Sequence, residues 1–141
     1  MWVIVHLLTG MAIGAVVPGG LVLGVLAALL GHLVLDLVPH WDYTGTRSML
    51  VWASLDVLAA TVVTFAGYHY LGLSPKIVVC GIASAVPDLD VLNALLPYKQ
   101  RTRWFPSHWS GFPHGKARPL PGIAIQVLLA TVSIALVVRF G

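Results

Sequence analysis

Apolar residues in this chain gather into five runs, 2–17, 20–38, 49–71, 76–96 and 122–140, and four of its five acidic residues lie inside those runs or at their edges. A hydrocarbon-bounded helix needs about 20 such residues, so 141 residues hold about five spans and leave no room for a separate soluble domain. Charged residues make up 9% of the chain, against about a quarter in an average soluble domain. That deficit excludes an ordinary globular protein, a disordered chain and a disulfide scaffold. The expectation is an all-α polytopic membrane bundle of about five transmembrane helices, forming one integral-membrane domain over 1–141. The net charge of +3 comes from eight Lys and Arg, too few and too scattered for a nucleic-acid footprint, so nucleic acid is not expected as a partner. Cys80 stands alone in an apolar run and has no internal disulfide partner.

Proline and glycine mark the ends of the runs. The first stops at Pro18-Gly19-Gly20, the second at Pro39 and the third before Gly72 to Pro75. No basic stretch or cleavage site of a signal peptide accompanies the first run, so it is expected to stay in the mature protein. Pro87 interrupts the fourth run. A helix of 76–86 alone would be about 16 Å long and too short to cross, so the chain is expected to break within the membrane, which is tolerated where the break is buried in protein or lines a wet cavity. The side reached by the N-terminus carries Arg47, Lys99, Arg101, Arg103, Lys116 and Arg118 in its connections, and the opposite side only Lys76 and Arg139. By the positive-inside rule the first side is cytoplasmic, with the N-terminus inside and the C-terminus outside an inner membrane.

Counting helical rise from the cytoplasmic ends gives each polar group a depth. His6 comes out at about 6 Å, His32 at about 9 Å, Asp36 at about 3 Å, Asp56 at about 10 Å, and Asp88 and Asp90 at about 12 and 9 Å. Five stretches of sequence therefore put their ionisable groups in one layer near one face, and the long connection 97–121, carrying His108 and His114, opens on that same face. Each such group would cost at least a few kcal/mol alone at membrane depth. Partners or a bound ion are needed.

Within this layer, His32 and Asp36 share a helix face at i and i+4, a spacing that serves two ligands of one metal, a His oriented by a carboxylate, or a packing pair. In Pro87-Asp88-Leu89-Asp90 a locally extended backbone would put both carboxylates on one face, where they repel unless a proton or a cation intervenes. Asp56 and His6 stand singly on apolar helices. Either can be a site residue or a packed, satisfied one. Trp41 and Tyr43 are read as interfacial anchors, Asp42 as solvated, and His69, on the opposite side, as interfacial. Candidate metal ligands are then His6, His32, Asp36, Asp88, Asp90, His108 and His114, with Asp56 or His40 handling a proton. Arg101, Arg103 and Lys116 are candidates for holding a substrate phosphate, although such residues also set topology.

His6 in a first helix with Gly10 and Gly14, the intramembrane Pro-Asp-Leu-Asp and the segment His108 to Gly115 together resemble the membrane-bound metal-dependent hydrolase family typified by YdjM. Gly31-His32 through Asp36 to Pro39-His40-Trp41-Asp42 is similar to a helix-end motif of small bacterial membrane proteins related to it. His32 and Asp36 followed by Pro39-His40 resemble, more distantly, the zinc-binding helix of the zinc phospholipase C superfamily, from which this chain departs in its shorter gap to His40 and its lack of Glu. The resemblance implies a divalent metal cofactor, Zn²⁺ ahead of Mn²⁺ or Fe²⁺, and hydrolysis, with a membrane lipid or lipid-linked phosphate ester as the partner expected for so shallow a site. A small transporter or ion-pathway subunit would use the same Asp and His, and a structural subunit is the third reading.

Overall fold

The computed structural model describes residues 1–92 and 103–141, and among them it is all-helical, with no strand. In chain order the helices are α1 (Val3–Val16), α2 (Leu21–Leu37), α3 (Met49–His69), α4 (Pro75–Ala85), the single turn α5 (Leu89–Leu92) and α6 (Pro119–Phe140). Two 3-10 turns, Val86–Asp88 and Pro106–His108, complete the regular structure among the described residues.

Proline sets most of the boundaries. Val17 and Val38 each precede a proline and are extended, with ψ of 119° and 133°, because the pyrrolidine ring clashes with a helical residue before it. Proline also begins α4 and α6, where the missing N–H has no intrahelical partner to lose. Pro87 breaks the fourth run as expected, but into a 3-10 turn. Among the described residues only α3 and α6, of 21 and 22 residues, are long and apolar enough to cross a membrane by themselves.

α1 is central and packs most closely on α4, then on α6 and α2. Glycine makes the α1–α4 approach possible. A Cβ on Gly10 would lie 2.5 Å from both the Cys80 carbonyl oxygen and Ser84 Cβ, and one on Gly81 would lie 2.6 Å from Met11 Cγ. With the backbones this close, His6, one turn before Gly10, reaches the Pro87 break. Apolar core residues Leu7, Met11, Ala60, Ile77 and Val137 fill the half of the bundle away from that break.

Polarity is distributed the opposite way from a water-soluble fold. His6, His32, Asp36 and Gln126 are fully buried, whereas Leu26 and Leu30 of α2, Leu55, Leu58 and Val62 of α3, and Leu128 and Val138 of α6 are exposed. Water would penalise so large an apolar exterior.

Candidate metal centre

His6, His32, Asp36, Asp88, Asp90 and His108, expected near one face from helical rise and the long connection, meet in a set of contacts. His32 and Asp36 lie on the last turns of α2, with His32 Nε2 3.1 Å from Asp36 Oδ2. From α1, His6 Nε2 comes within 3.4 Å of Asp36 Oδ1 and 3.8 Å of Asp88 Oδ2, its ring stacked on that of His32 at 3.9 Å. His108, on the 3-10 turn of the long connection, places Nε2 3.4 Å from Asp36 Oδ2 and 3.6 Å from Asp88 Oδ1.

Distance alone would suggest ion pairs, but the geometry does not pair them. His6 Nε2, His32 Nε2, both Asp36 oxygens and Asp88 Oδ2 are buried and have no hydrogen-bond partner. The outer ring nitrogens explain why. His32 Nδ1 sits 2.6 Å from the Ser84 carbonyl oxygen, which can only accept, so Nδ1 carries the proton and the neutral ring turns an Nε2 lone pair towards Asp36. His108 Nδ1 likewise lies 2.6 Å from Asp90 Oδ1. Metal-binding imidazoles are commonly held in this way, one nitrogen donating to a carbonyl or carboxylate and the other left free. Donor atoms about 2.1 Å from a tetrahedral zinc ion stand about 3.4 Å apart. The separations of 3.1–3.8 Å here suit such a shell. His6, His32 and Asp36 form one group able to hold an ion, and His32, Asp88 and His108 form another.

Asp88 and Asp90 do not share a face. The 3-10 turn at Val86–Asp88, continuing into α5, replaces the extended backbone expected at Pro87 and separates the two side chains, so Asp88 approaches Nε2 of His108 while Asp90 holds Nδ1 and accepts from the Phe105 amide at 3.3 Å. Asp90 therefore orients an imidazole.

Asp56, expected to handle a proton, does not join the cluster. Its carboxylate accepts from the Val3 and Ile4 amides at 2.7 and 2.9 Å and from the Tyr43 hydroxyl at 3.0 Å. Those amides begin α1 and have no intrahelical partners, and a carboxylate there is also favoured by the helix dipole. Tyr43, expected as an interfacial anchor, is buried against Asp56. Asp42 keeps to the surface, accepting from the Thr44 amide and hydroxyl.

His40 and His114 meet edge-on, ring centroids 4.9 Å apart, and with Asp36 form a third group able to hold an ion. Burial pushes His40 down to about 4 and lowers His114. Burial opposes protonation of His108 too, but the Asp36, Asp90 and Asp88 carboxylates around it outweigh that and raise its pKa. Arg103 donates to the His108 carbonyl at 2.9 Å and so holds the loop. Arg103 and Lys116 both line the cavity that opens beside Asp88 and His108. Arg101 and Lys99 lie outside the described residues.

Three residues belong to this end of the molecule without having been singled out in the sequence. Ser84 supplies the carbonyl that orients His32, and its hydroxyl and that of Ser107 are buried without partners. Gln126 accepts from the Trp2 amide at 2.9 Å and donates to the Trp41 carbonyl at 2.7 Å, tying α6 to both neighbours of the site. Ser84 stands four residues before Asp88, a helical repeat that could have marked it; Gln126, as the lone amide in an apolar run, could have been marked by its polarity. No family model, curated protein or solved structure matches the chain.

Proposed function

We propose that the chain is a membrane-embedded, metal-dependent hydrolase of the YdjM-like kind, binding Zn²⁺ ahead of Mn²⁺ or Fe²⁺ and cleaving a lipid-linked phosphate ester at the cytoplasmic face of the inner membrane. Five segments then cross or enter the bilayer, with the short α1 sheltered among the others. The observation that carries this reading is the convergence of buried side-chain atoms of His6, His32, Asp36 and Asp88 that have no hydrogen-bond partner. A divalent ion bound there supplies Lewis acidity and a water of lowered pKa. Hydrolysis joins the oxygen of water to phosphorus, breaks the ester P–O bond and passes a proton to the departing alcohol.

A cavity of about 1260 Å³ supports the lipid part of the proposal. At one end it is lined by Asp88, His108, Arg103 and Lys116, and its apolar walls, Val57, Ala60 and Ile82 among them, follow α3 and α4 to Tyr68 on the far side. A phosphate beside the basic residues would leave its hydrocarbon chain along those walls.

Metal content of the detergent-purified protein, wild type beside His32→Ala and Asp88→Ala, tests the site. Stoichiometric metal lost from both variants is expected, together with hydrolysis of a phospholipid or simple phosphodiester by the loaded wild type alone. A folded wild type that stays empty in excess Zn²⁺ and Mn²⁺ overturns the proposal.

A further inference from the structure

The Asp36 carboxylate lies at the meeting point of two groups of potential ligands, with His6 and His32 on one side. On the other side are His40, which is 2% exposed, and His114. One donor atom from each of the three lies within 4.8 Å of the others. The His40 ring is fixed as the His32 ring is: Nδ1 donates to a backbone carbonyl, here Val38 at 2.7 Å, and Nε2 is buried with no partner. Both Asp36 oxygens are unpartnered as well.

The loop is held to this place by its backbone. The Gly115 amide donates to the Asp36 carbonyl at 2.7 Å and the Ala117 amide to the His40 carbonyl at 2.9 Å. A Cβ at position 115 would stand 2.3 Å from the Val38 oxygen, so only glycine lets the segment lie flat along the end of α2 and set His114 against His40. An edge-on pair of packed imidazoles needs neither an unmatched Nε2 nor a carboxylate beside it.

We infer that Asp36, His40 and His114 form a second divalent-cation site, and that the Asp36 carboxylate is shared between it and the ion held by His6, His32, Asp88 and His108. This inference rests on the metal-centre reading above and adds to it the ion count and a ligand role for His40. A carboxylate whose two oxygens have no hydrogen-bond partner can serve two cations at once, and the chemistry of paired ions is suited to phosphate esters because two positive charges face the attacking and the leaving oxygen.

The test is metal stoichiometry after dialysis against Zn²⁺, measured by mass spectrometry on wild type, His114→Ala, His40→Ala and Gly115→Ala. Two equivalents are expected in wild type and one in each variant, the retained equivalent showing that the variants are folded. Mn²⁺-loaded wild type should also give the broadened paramagnetic resonance of an exchange-coupled pair, replaced by the six-line signal of an isolated ion in His114→Ala. One equivalent in wild type, unchanged in His114→Ala and His40→Ala, overturns the second site and leaves the first standing. No metal in wild type ends both, and two equivalents undiminished in His114→Ala place the second ion elsewhere and overturn this assignment.

Discussion

Asp36 and Asp56 sit in nearly the same words of sequence, Leu35-Asp36-Leu37 and Leu55-Asp56-Val57, each on an apolar helix and each buried. Their surroundings differ completely. Asp56 meets two free amides at the start of α1 and a phenol, so its oxygens accept three hydrogen bonds. Asp36 meets imidazole nitrogens and the Asp88 side of the cluster, and neither oxygen is matched. A buried carboxylate supplied with donors fastens a fold, whereas one facing lone pairs is a place for a cation. The partner decides the task, not the residue.

Exchanging the two acids should give opposite results. Asp36→Asn removes a carboxylate whose oxygens have no hydrogen-bond partner and which faces the Met1 ammonium at 3.8 Å, so metal content should fall from stoichiometric to background while the metal-free protein loses less stability than Asp56→Ala does. Asp56→Ala leaves two part-buried amides and the buried Tyr43 hydroxyl without their acceptor, each costing about 1 kcal/mol; its stability should drop by about 3 kcal/mol while metal content holds. Thermal unfolding in detergent with and without Zn²⁺ reads both effects, since an ion at a hundred times its dissociation constant adds about 2.7 kcal/mol. That increment should survive in Asp56→Ala and vanish in Asp36→Asn. Equal loss of metal in both would erase the distinction. Next in size comes Asp90→Asn, which weakens the orientation of His108 without touching the shared lone pairs: metal affinity should fall by about ten- to a hundredfold, measured by competition with a chelator.

Much of this was legible from one-dimensional position. Helical rise put His6, His32, Asp36 and Asp88 in one layer near one face, and the side of the long connection brought His108 to them; in the structure their side chains lie 3.1–3.8 Å apart. Pro87 announced the break in the fourth helix. Direction around each helix axis was not legible, because nearly uniform apolarity on α3 gives no stripe from which to read it. Asp56 shares the depth of the cluster yet turns to the α1 amides, a partnership visible only once α1 and α3 are packed. Asp88 and Asp90 were separated by a 3-10 turn that the sequence allows as readily as an extended one. Gln126 escaped because an amide has no charge to draw attention, although buried it must find partners.

Acid should sharpen the contrast by supplying to Asp36 what it lacks. The carboxylates raise the His108 pKa against the effect of burial, so protonated His108 stabilises the metal-free fold below its ordinary value of about 6.5, and that contribution is lost as pH rises through the raised folded value. Metal binding needs the Nε2 lone pair and so runs the other way, gaining up to about tenfold in affinity per pH unit for one released proton and levelling above the His108 pKa. His40, pushed down to about 4, and His114, also lowered, are already neutral there and add no protons. With Asp90→Asn one of the raising charges is gone, and the plateau should be reached at lower pH. Affinity independent of pH between 6 and 8 would mean that His108 is not displaced from its proton by the ion.

The smallest effect belongs to the Asp56 side. Tyr43→Phe removes one of its three donors and leaves the amides of Val3 and Ile4 in place, so stability should fall by about 1 kcal/mol with metal affinity unchanged. Burial, reinforced by the Asp56 carboxylate, raises the Tyr43 phenol above its ordinary range, which keeps it a donor at any pH the protein meets. In Asp56→Ala that reinforcement disappears, and ultraviolet titration should show one tyrosine ionising at lower pH than in wild type. If Tyr43→Phe instead lowered metal affinity as much as Asp90→Asn does, the corner at Asp56 would be part of the ion site, and the division between the two acids would fail.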